Sequence, residues 1–412
     1  MTSAQSDAPH PSPWLSLWLH PGATIERIVT TNPRRHVLLL AALAGMSNLI
    51  FGPIHFGSTI ELLDWRIIAG IVVLGAVYGV VSLYISGLMF WLAGRMFGGR
   101  APSAAVRAAY AWGTAPTILA FAICLVALAA FKLLAGAAPP PSATQGLNIA
   151  LQAVGGLLGL WAAVMIFLML KRVQGFGIWR ALASSALGLV LVSLITALLI
   201  RTFLFQPFSI FSGSQKPTLF AGDYLFVSKY SYGYSHYSLP LSPPLFSGRI
   251  FGSEPERGDM VVFRLPRDDS VDYIFRVIGL PGDRIQMING HLHINGEPVK
   301  RERIEDFVET EGGRTTRIKQ WRETLPNGVS HRTLDLVENG FYDNTPVYEV
   351  PPGRFFVMGD NRDNATDSRV MAQTGYIPFE NLVGRAQIIF FSFDRDSREQ
   401  RIRYERIGTV VR

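Results

Sequence analysis

Five long apolar stretches in the first half of this 412-residue chain constrain its fold more than any other feature. A helix needs about 20 mostly apolar residues to cross the hydrocarbon core of a bilayer. The stretches that approach or exceed this length cover residues 37–54, 67–94, 112–136, 148–170 and 182–204. They contain no Asp, Glu or His, so we predict an α-helical membrane domain without an ion or proton pathway.

The distribution of Lys and Arg predicts the orientation of these helices. Positive residues precede the first stretch and fill the connections after the second and fourth, whereas the other two connections carry few or none. Because short cytoplasmic loops are enriched in Lys and Arg, the N-terminus is expected in the cytoplasm. Five crossings then place residues 205–412 outside it, in the periplasm or on the outer face of a bacterial inner membrane.

The membrane half divides into two predicted regions. Residues 12–45 open with Trp and Leu side chains ahead of a basic run, which predicts an interfacial helix within a cytoplasmic N-terminal region, 1–36. The five-span domain follows at 37–204, and small residues at 153–160 predict close helix packing in it. This half resembles Yip-type multi-spanning membrane domains, and that resemblance assigns no chemistry.

Charge and cysteine content exclude several function classes. The net charge is +7, but the basic residues of the first half flank apolar stretches, and both signs are interspersed in the second. We therefore expect no nucleic-acid partner. Cys124 is the single cysteine, which excludes a disulfide within the chain and leaves the second half without a cysteine nucleophile or zinc ligand. No metal and no cofactor is expected.

The second half, 205–412, has the pattern of a mainly β domain. Strand-like runs such as 273–280 alternate with turns rich in Gly, Pro, Asn and Asp. Two Asn-Gly pairs within 288–299 predict tight hairpins. The polar section 300–350 is predicted to be an insertion in the sheet, in the form of a β-ribbon, and 231–258 a long loop. The fold class is thus a membrane domain followed by an extracytoplasmic β domain.

Four blocks of the second half follow one another in a specific order. They read IFSGSQKPTL at 210–219, RGDMVVF at 257–263, YIFRVIGLPGDR at 273–284 and GDNRDNATDSR at 359–369. These blocks resemble those of signal peptidase I, the membrane-anchored leader peptidase, over about 205–395. The resemblance implies a mainly β catalytic domain that cleaves signal peptides from exported proteins after small residues.

The resemblance also implies roles for particular residues. The family pairs a serine nucleophile with a Lys amine as general base, a variant of triad chemistry. Matched to the family pattern, Ser214 is the nucleophile and Ser212 the side chain that assists the oxyanion. Phe208, Ile210 and Ile274 match the apolar walls of the pockets for small substrate residues.

A second group of matched residues is expected to act as scaffold. The family has a structural turn and an ion pair near the active site. The residues of this chain that match them are Arg276, Asp360, Asp367 and Arg369.

The blocks depart from the family pattern at the base. Phe275 stands in place of the Lys, and Ala365 in place of the Ser that hydrogen-bonds this Lys; Gln215 and Phe211 replace the usual Met and Pro. A phenyl ring cannot accept the serine proton. Because removing a buried amine leaves its partner unsatisfied at about 1–3 kcal/mol, the joint loss predicts a base pocket filled with hydrocarbon.

Other residues were weighed as a replacement base. Arg276 is excluded because a guanidinium stays protonated. Lys216 lies two positions after Ser214, and Lys229 ends a predicted strand; both are expected to contact solvent or lipid headgroups. His236 lies in the long loop, from which it could reach the serine.

Three functions therefore remain open: an active signal peptidase, a silent relative that binds signal peptides or partners without cleaving, and a membrane scaffold. The expected partners are signal peptides of exported preproteins, the lipid bilayer and the secretion machinery. An apolar edge formed by Ile210, Phe211, Leu219 and Phe220 is expected to dip into the outer leaflet.

Overall fold

The computed structural model describes residues 12–51, 65–135, 141–311, 314–394 and 401–411. The first eleven residues of the predicted cytoplasmic region and the end of the first predicted span, 52–54, lie outside this part of the chain. The chain divides into two compact units, Met1–Ile195 and Thr196–Arg412, and each is described by itself.

Within its described residues, the first unit consists of helices and short connections. Its helices are α1 (Pro13–Leu19), α2 (Pro21–Thr31), α3 (Val37–Phe51), α4 (Trp65–Met96), α5 (Ser103–Gly113), α6 (Ala115–Ala135), α7 (Pro141–Gln174) and α8 (Ile178–Leu199), of which α8 continues into the second unit. Among the described residues, four helical segments are long and apolar enough to cross a membrane: Ala69–Met96, Ser103–Leu134, Ser142–Gln174 and Ile178–Leu204. The first predicted stretch forms the shorter helix α3.

Helices α1 and α2 occupy the segment for which an interfacial helix is predicted. Leu17, Ile25 and Ile28 are fully buried in the same core as Trp112 of α5 and Met165 of α7. Leu15 and Leu19 are exposed on the opposite side. The two helices are therefore held to the helical unit by a conventional apolar core.

The closest helix packing lies elsewhere than predicted. A Cβ placed on Gly79 of α4 would lie 1.9 Å from the Ala41 carbonyl oxygen, so only glycine fits between α3 and α4 there. In contrast, nothing approaches Gly156 or Gly159 within 4 Å. The prediction of close packing around 153–160 is therefore wrong for these two glycines, because small residues permit a close approach without supplying a partner.

The second unit is built on a seven-stranded antiparallel sheet in the order β1-β2-β15-β3-β4-β13-β14. These strands are β1 (Phe205–Ser209), β2 (Asp223–Ser228), β3 (Met260–Leu265), β4 (Asp268–Gly279), β13 (Arg354–Met358), β14 (Ile377–Pro378) and β15 (Leu382–Ser392). Alternate residues of the central strands β3, β4 and β13 pack into separate apolar clusters on the two faces. The sheet thus has a core on each side.

A second sheet contains the predicted hairpins. Its order is β12-β5-β6-β7, with β5 (Arg284–Ile288), β6 (His291–Ile294), β7 (Glu297–Pro298) and β12 (Tyr348–Glu349). Both Asn-Gly pairs adopt positive φ at both residues, 50° and 73° at Asn289 and Gly290, and 57° and 88° at Asn295 and Gly296. This is the conformation that two-residue hairpin turns require, and it confirms the prediction.

Residues 300–335 of the section 300–350 form a ribbon, whereas β12 at the end of the section belongs to the second sheet. The ribbon comprises β8 (Lys300–Arg303), β9 (Phe307–Glu311), β10 (Arg314–Thr324) and β11 (Ser330–Asp335). The long strand β10 pairs with β8 and β11 at one end and with β9 at the other. The ribbon thereby brings residues from both of its ends to the site described next.

Candidate active site

The two serines lie on the loop that connects β1 to β2. The Oγ atoms of Ser212 and Ser214 are 2.9 Å apart and within hydrogen-bonding distance. Backbone hydrogen bonds from Ile210 to Asp223 and from Gly222 to Ile210 close the base of this loop. Ser212 is exposed and Ser214 partly exposed, so a peptide in solution can reach both hydroxyls.

Hydrogen bonds tie this loop to β4 and to the turn 359–369. The Ser214 carbonyl accepts the amide of Asn361 at 3.1 Å, and the Gly213 carbonyl accepts the Asn361 side-chain amide at 3.1 Å. Gln215 is buried; its Nε2 donates to the Ile274 carbonyl at 3.2 Å, and its Oε1 accepts the Asp360 amide at 3.4 Å. Three of the four sequence blocks therefore meet here.

Phe275 and Ala365 come together beside the serine loop. Phe275 is 3% exposed and packs in an apolar cluster with Ala365 at its edge. Its ring lies 6.2 Å from that of Phe263 and 5.9 Å from that of Tyr273. The cluster around the Phe275 side chain consists of aliphatic and aromatic residues.

Gly359 marks the point where these residues meet. A Cβ placed on it would lie 2.3 Å from the Ala365 Cβ and 2.8 Å from the Ser214 carbonyl oxygen. The Cβ placed on Gly359 would also lie 3.5 Å from Cε1 of Phe275. Ser214, Phe275 and Ala365 therefore share one small volume, and a side chain at 359 would collide with two of them.

The three predicted pocket residues share a neighbouring cluster. Ile210 is 5% exposed and belongs to the core on one face of the sheet, and Phe208 and Ile274 pack against that core while remaining partly exposed. A partly exposed apolar surface next to Ser214 can accept small apolar side chains.

Arg276 and Asp360 form a buried ion pair next to this site. The guanidinium donates to both carboxylate oxygens, at 2.8 and 2.7 Å, and also to the Gly258 carbonyl at 2.8 Å. Thr218 adds a hydroxyl to the carboxylate. Burial by itself would raise the pKa of Asp360, but the Arg276 charge and these hydrogen bonds hold that pKa below its usual value.

Asp367 and Arg369 form a second pair within the turn. Arg369 donates to Asp367 at 2.9 and 2.8 Å, and Asp367 also accepts the Gly359 amide at 2.9 Å. The carboxylate thereby holds the backbone at the point where Ser214 and Phe275 meet.

The residues weighed as replacement bases have other partners. Lys229 is buried and its Nζ donates to the Ser238 carbonyl at 2.8 Å; burial lowers its pKa to about 8. His236 contacts Glu380 at 3.1 Å between Nδ1 and Oε1. Lys216 forms an ion pair with Glu309 of β9, although its Nζ passes close to Gly213, 3.5 Å from where a Cβ would lie there.

Two neighbours of the site, Glu323 and His331, were missed by sequence reasoning, and both come from the ribbon. Glu323 of β10 accepts a hydrogen bond from Arg362 of the turn at 2.5 Å, and the Leu334 amide donates to the Asp360 carbonyl at 2.8 Å. His331 is buried, with Nε2 3.8 Å from Glu323 and 3.9 Å from Asp360. Hydrogen bonds from the ribbon therefore help to hold the turn 359–369 in place.

No local pattern marks these residues. Glu323 and His331 are opposite each other on β10 and β11, and only the strand register reveals this. Burial is the main reason why the pKa of His331 falls to about 4, with the nearby positive charge of Arg276 acting in the same direction. The imidazole is therefore neutral at pH 7.

The comparisons with known proteins cover both halves of the chain. The family model of signal peptidase, peptidase S26, matches residues 183–391, and that of the Yip1 domain matches residues 15–200. The two matches overlap at 183–200, most of which forms α8.

Individual relatives agree with the first of these models. Signal peptidase I of Rickettsia massiliae is 48% identical over 204 residues, which are 48% of this chain and 75% of that protein. Signal peptidase I of Rickettsia typhi is 47% identical over the same shares. A crystal structure of a signal peptidase I from Enterococcus faecalis is similar at 24% identity and a TM-score of 0.20, covering 32% of this chain and 97% of that one. This chain is therefore a membrane protein that belongs to the signal peptidase I family and carries a Yip1 domain ahead of its peptidase domain.

Proposed function

We propose that this chain binds signal peptides of exported preproteins in the cleft beside Ser214 and does not cleave them efficiently. The observation that carries the proposal is the burial of Phe275 against Ala365, at the position where the family has its amine base. The serine hydroxyl has Ser212 as a neighbour, and a second hydroxyl is no base at neutral pH.

The chemistry explains the expected loss of rate. A serine attacks a peptide carbonyl only when a neighbouring group takes its proton. A Lys amine does this when burial lowers its pKa toward neutrality. Loss of a general base costs about 10²–10⁴-fold in rate, which leaves binding as the principal activity.

The binding surface supports recognition without cleavage. Phe208 and Ile274 form an apolar, partly exposed wall over the buried Ile210. The Arg276–Asp360 pair and the Asp367–Arg369 pair keep the turn in place without contributing a proton acceptor. A peptide with small side chains near its cleavage position fits such a wall by the family pattern.

The proposal includes a membrane arrangement. The N-terminal region lies in the cytoplasm, the helical domain 37–204 lies in a bacterial inner membrane, and the β domain 205–412 faces the outside. The alternation of basic connections supports this orientation. Signal peptides reach the outer face during export, so the secretion machinery is the expected neighbouring partner.

A second candidate is an active peptidase in which Lys216 replaces the missing base. The Lys216 Nζ lies close to Gly213, the residue between Ser212 and Ser214, and this position favours the second candidate. The ion pair with Glu309 opposes it, because a nearby carboxylate stabilises the charged form of the amine.

A cleavage assay separates the two candidates. The full chain in proteoliposomes is mixed with a preprotein that carries an Ala-x-Ala site, and cleavage is compared for the unaltered chain, Lys216→Met, and the double variant Phe275→Lys/Ala365→Ser. We expect at least about 10²-fold faster cleavage by the double variant, lost again when Ser214→Ala is added.

Binding is measured in the same vesicles. A fluorescent signal peptide should bind the unaltered chain, and substitution of Ile274 by Asp should weaken that binding by placing a charge in the apolar wall. If the unaltered chain cleaves efficiently and Lys216→Met abolishes that cleavage, the second candidate is established instead.

A further inference from the structure

The loop 237–251 exposes large apolar side chains to an unusual degree. Leu241 is 101% exposed, Leu245 74% and Phe251 85%. The only charged residue of this segment is Arg249. Exposed apolar patches of this kind mark sites of contact with proteins or lipids.

The base of this loop lies at the end of the last membrane helix. The Tyr234 hydroxyl donates to the Phe203 carbonyl at 2.9 Å, and the two rings meet at 5.6 Å. Phe203 belongs to the last turn of the candidate span Ile178–Leu204. Aromatic side chains concentrate where such a span leaves the hydrocarbon, so Tyr234 lies at the level of the membrane surface.

Phe251 is directly connected to this point. Tyr234 and Ile250 exchange two backbone hydrogen bonds, at 2.9 and 2.8 Å. Ile250, which is itself half exposed, and Phe251 therefore lie next to Tyr234, which contacts the end of the span.

The loop is also firmly attached to its domain. Arg249 donates to the carbonyls of Tyr232, Gly233 and Leu382 at 2.8–2.9 Å. Its charge is thus directed toward the backbone of the domain and away from the exposed apolar side chains. Side chains on a fixed support lose little backbone freedom when they enter a lipid phase, which favours insertion.

We propose that loop 237–251 inserts Leu241, Leu245 and Phe251 into the lipid leaflet at the Leu204 end of the span Ile178–Leu204. This contact differs from the predicted edge of Ile210, Phe211, Leu219 and Phe220. That prediction is wrong for Ile210 and Leu219, which are 5% and 0% exposed because they pack into the core of the β domain. The loop contact is independent of whether the chain cleaves peptides and of which side of the membrane this leaflet faces. It attaches the β domain to the bilayer next to its own membrane helix.

The test uses the full chain in phosphatidylcholine–phosphatidylglycerol vesicles. Cys124 is replaced by Ala, and one new cysteine is introduced by Phe251→Cys or Leu245→Cys and labelled with an environment-sensitive nitrobenzoxadiazole dye. Glu297→Cys is the matched control, because Glu297 is exposed in the polar hairpin of β6 and β7. Should Cys124→Ala fail to fold, native Cys124, which is 1% exposed, stays and the unaltered chain serves as the labelling blank.

The dye on the loop should emit at shorter wavelength than the control dye. Nitroxides on the lipid acyl chains should quench it at least threefold more strongly, and aqueous iodide at least threefold less. Equal emission and equal quenching at loop and control sites would overturn the proposal. Protection that disappears when protein is diluted with lipid would overturn it too, because the occupant would then be a second copy of the chain.

Discussion

Phe275 and Arg276 are neighbours on β4, yet their side chains enter two different environments. Arg276 is completely buried in a polar site, where Asp360 and a backbone carbonyl satisfy its guanidinium. Phe275 lies in an apolar cluster with Ala365 at its edge. Because successive side chains of a strand point to opposite faces, the position of the base can become hydrocarbon while the supporting ion pair stays intact.

The contrast between Phe275 and Arg276 distinguishes the contacts that hold the site in place from the residue that would take the serine proton. The ion pairs, the turn and the serine loop keep one another in place through hydrogen bonds that do not involve residue 275. These polar contacts can therefore stay intact whether or not residue 275 is a proton acceptor. The following changes probe the polar and apolar sides of the site in turn.

The largest effect is expected on the polar side. Asp360→Asn leaves the Arg276 guanidinium buried without a counter-charge, which lowers the free energy of unfolding by about 3–5 kcal/mol. Pulse proteolysis of the full chain in detergent across a urea series measures this change. Asp268→Asn is the control, since that carboxylate is fully exposed; equal urea midpoints for the two variants would contradict the prediction.

A pH effect is expected from His331, which faces Glu323, Asp360, Arg276 and Arg362. Its pKa is lowered from 6.5 to about 4 in the folded chain, so the unfolded chain binds an extra proton between these values. The free energy of unfolding should therefore be highest above pH 6.5 and decrease as the pH falls to about 4, by about 3 kcal/mol at most.

Hydrogen exchange of the β10–β11 amides, corrected for intrinsic rates, reports this change locally. His331→Gln should flatten the profile between pH 4 and 6.5. The pKa values of the Glu323 and Asp360 carboxylates are lowered from 4.5 and 3.8 in the folded chain, so their own loss of stability begins near pH 4.5 and continues below this window. An unchanged slope in the variant would assign the effect to another group.

The apolar side should show coupling between two positions. Phe275→Lys alone buries an amine in hydrocarbon, and Ala365→Ser alone buries a hydroxyl there. Together the two side chains can hydrogen-bond, so a double-mutant cycle of unfolding should give a favourable coupling of about 1–3 kcal/mol. Effects that add within about 0.5 kcal/mol would show that residues 275 and 365 do not interact.

The smallest effect is expected from Gln215, which connects the serine loop to Ile274 of β4 and to Asp360 of the turn. Gln215→Met keeps the volume and removes two long hydrogen bonds, at a cost of about 1 kcal/mol. Hydrogen exchange at 211–219 should increase while β15 keeps its protection. Unchanged exchange in the loop would mean that the Asn361 contacts suffice to hold it.

Much of the architecture could be predicted because it depends on local patterns. Apolar length predicted the membrane helices, and the Asn-Gly pairs predicted the hairpins at 289–290 and 295–296. The ordered blocks predicted the family. The open surface at Gly156 and Gly159 was not predictable in this way, since a residue pattern does not say which helix lies opposite.

The amino-acid sequence by itself determined the two-part plan, the family and the absence of a Lys at 275, because span length, block order and residue identity are properties of the linear chain. Only the tertiary structure decided that Ser214, Phe275 and Ala365 meet around Gly359, and that His331 and Glu323 of a distant ribbon lie beneath the same turn. These contacts depend on strand register and chain crossing, and pairings between residues far apart in the chain leave no local signal in either partner.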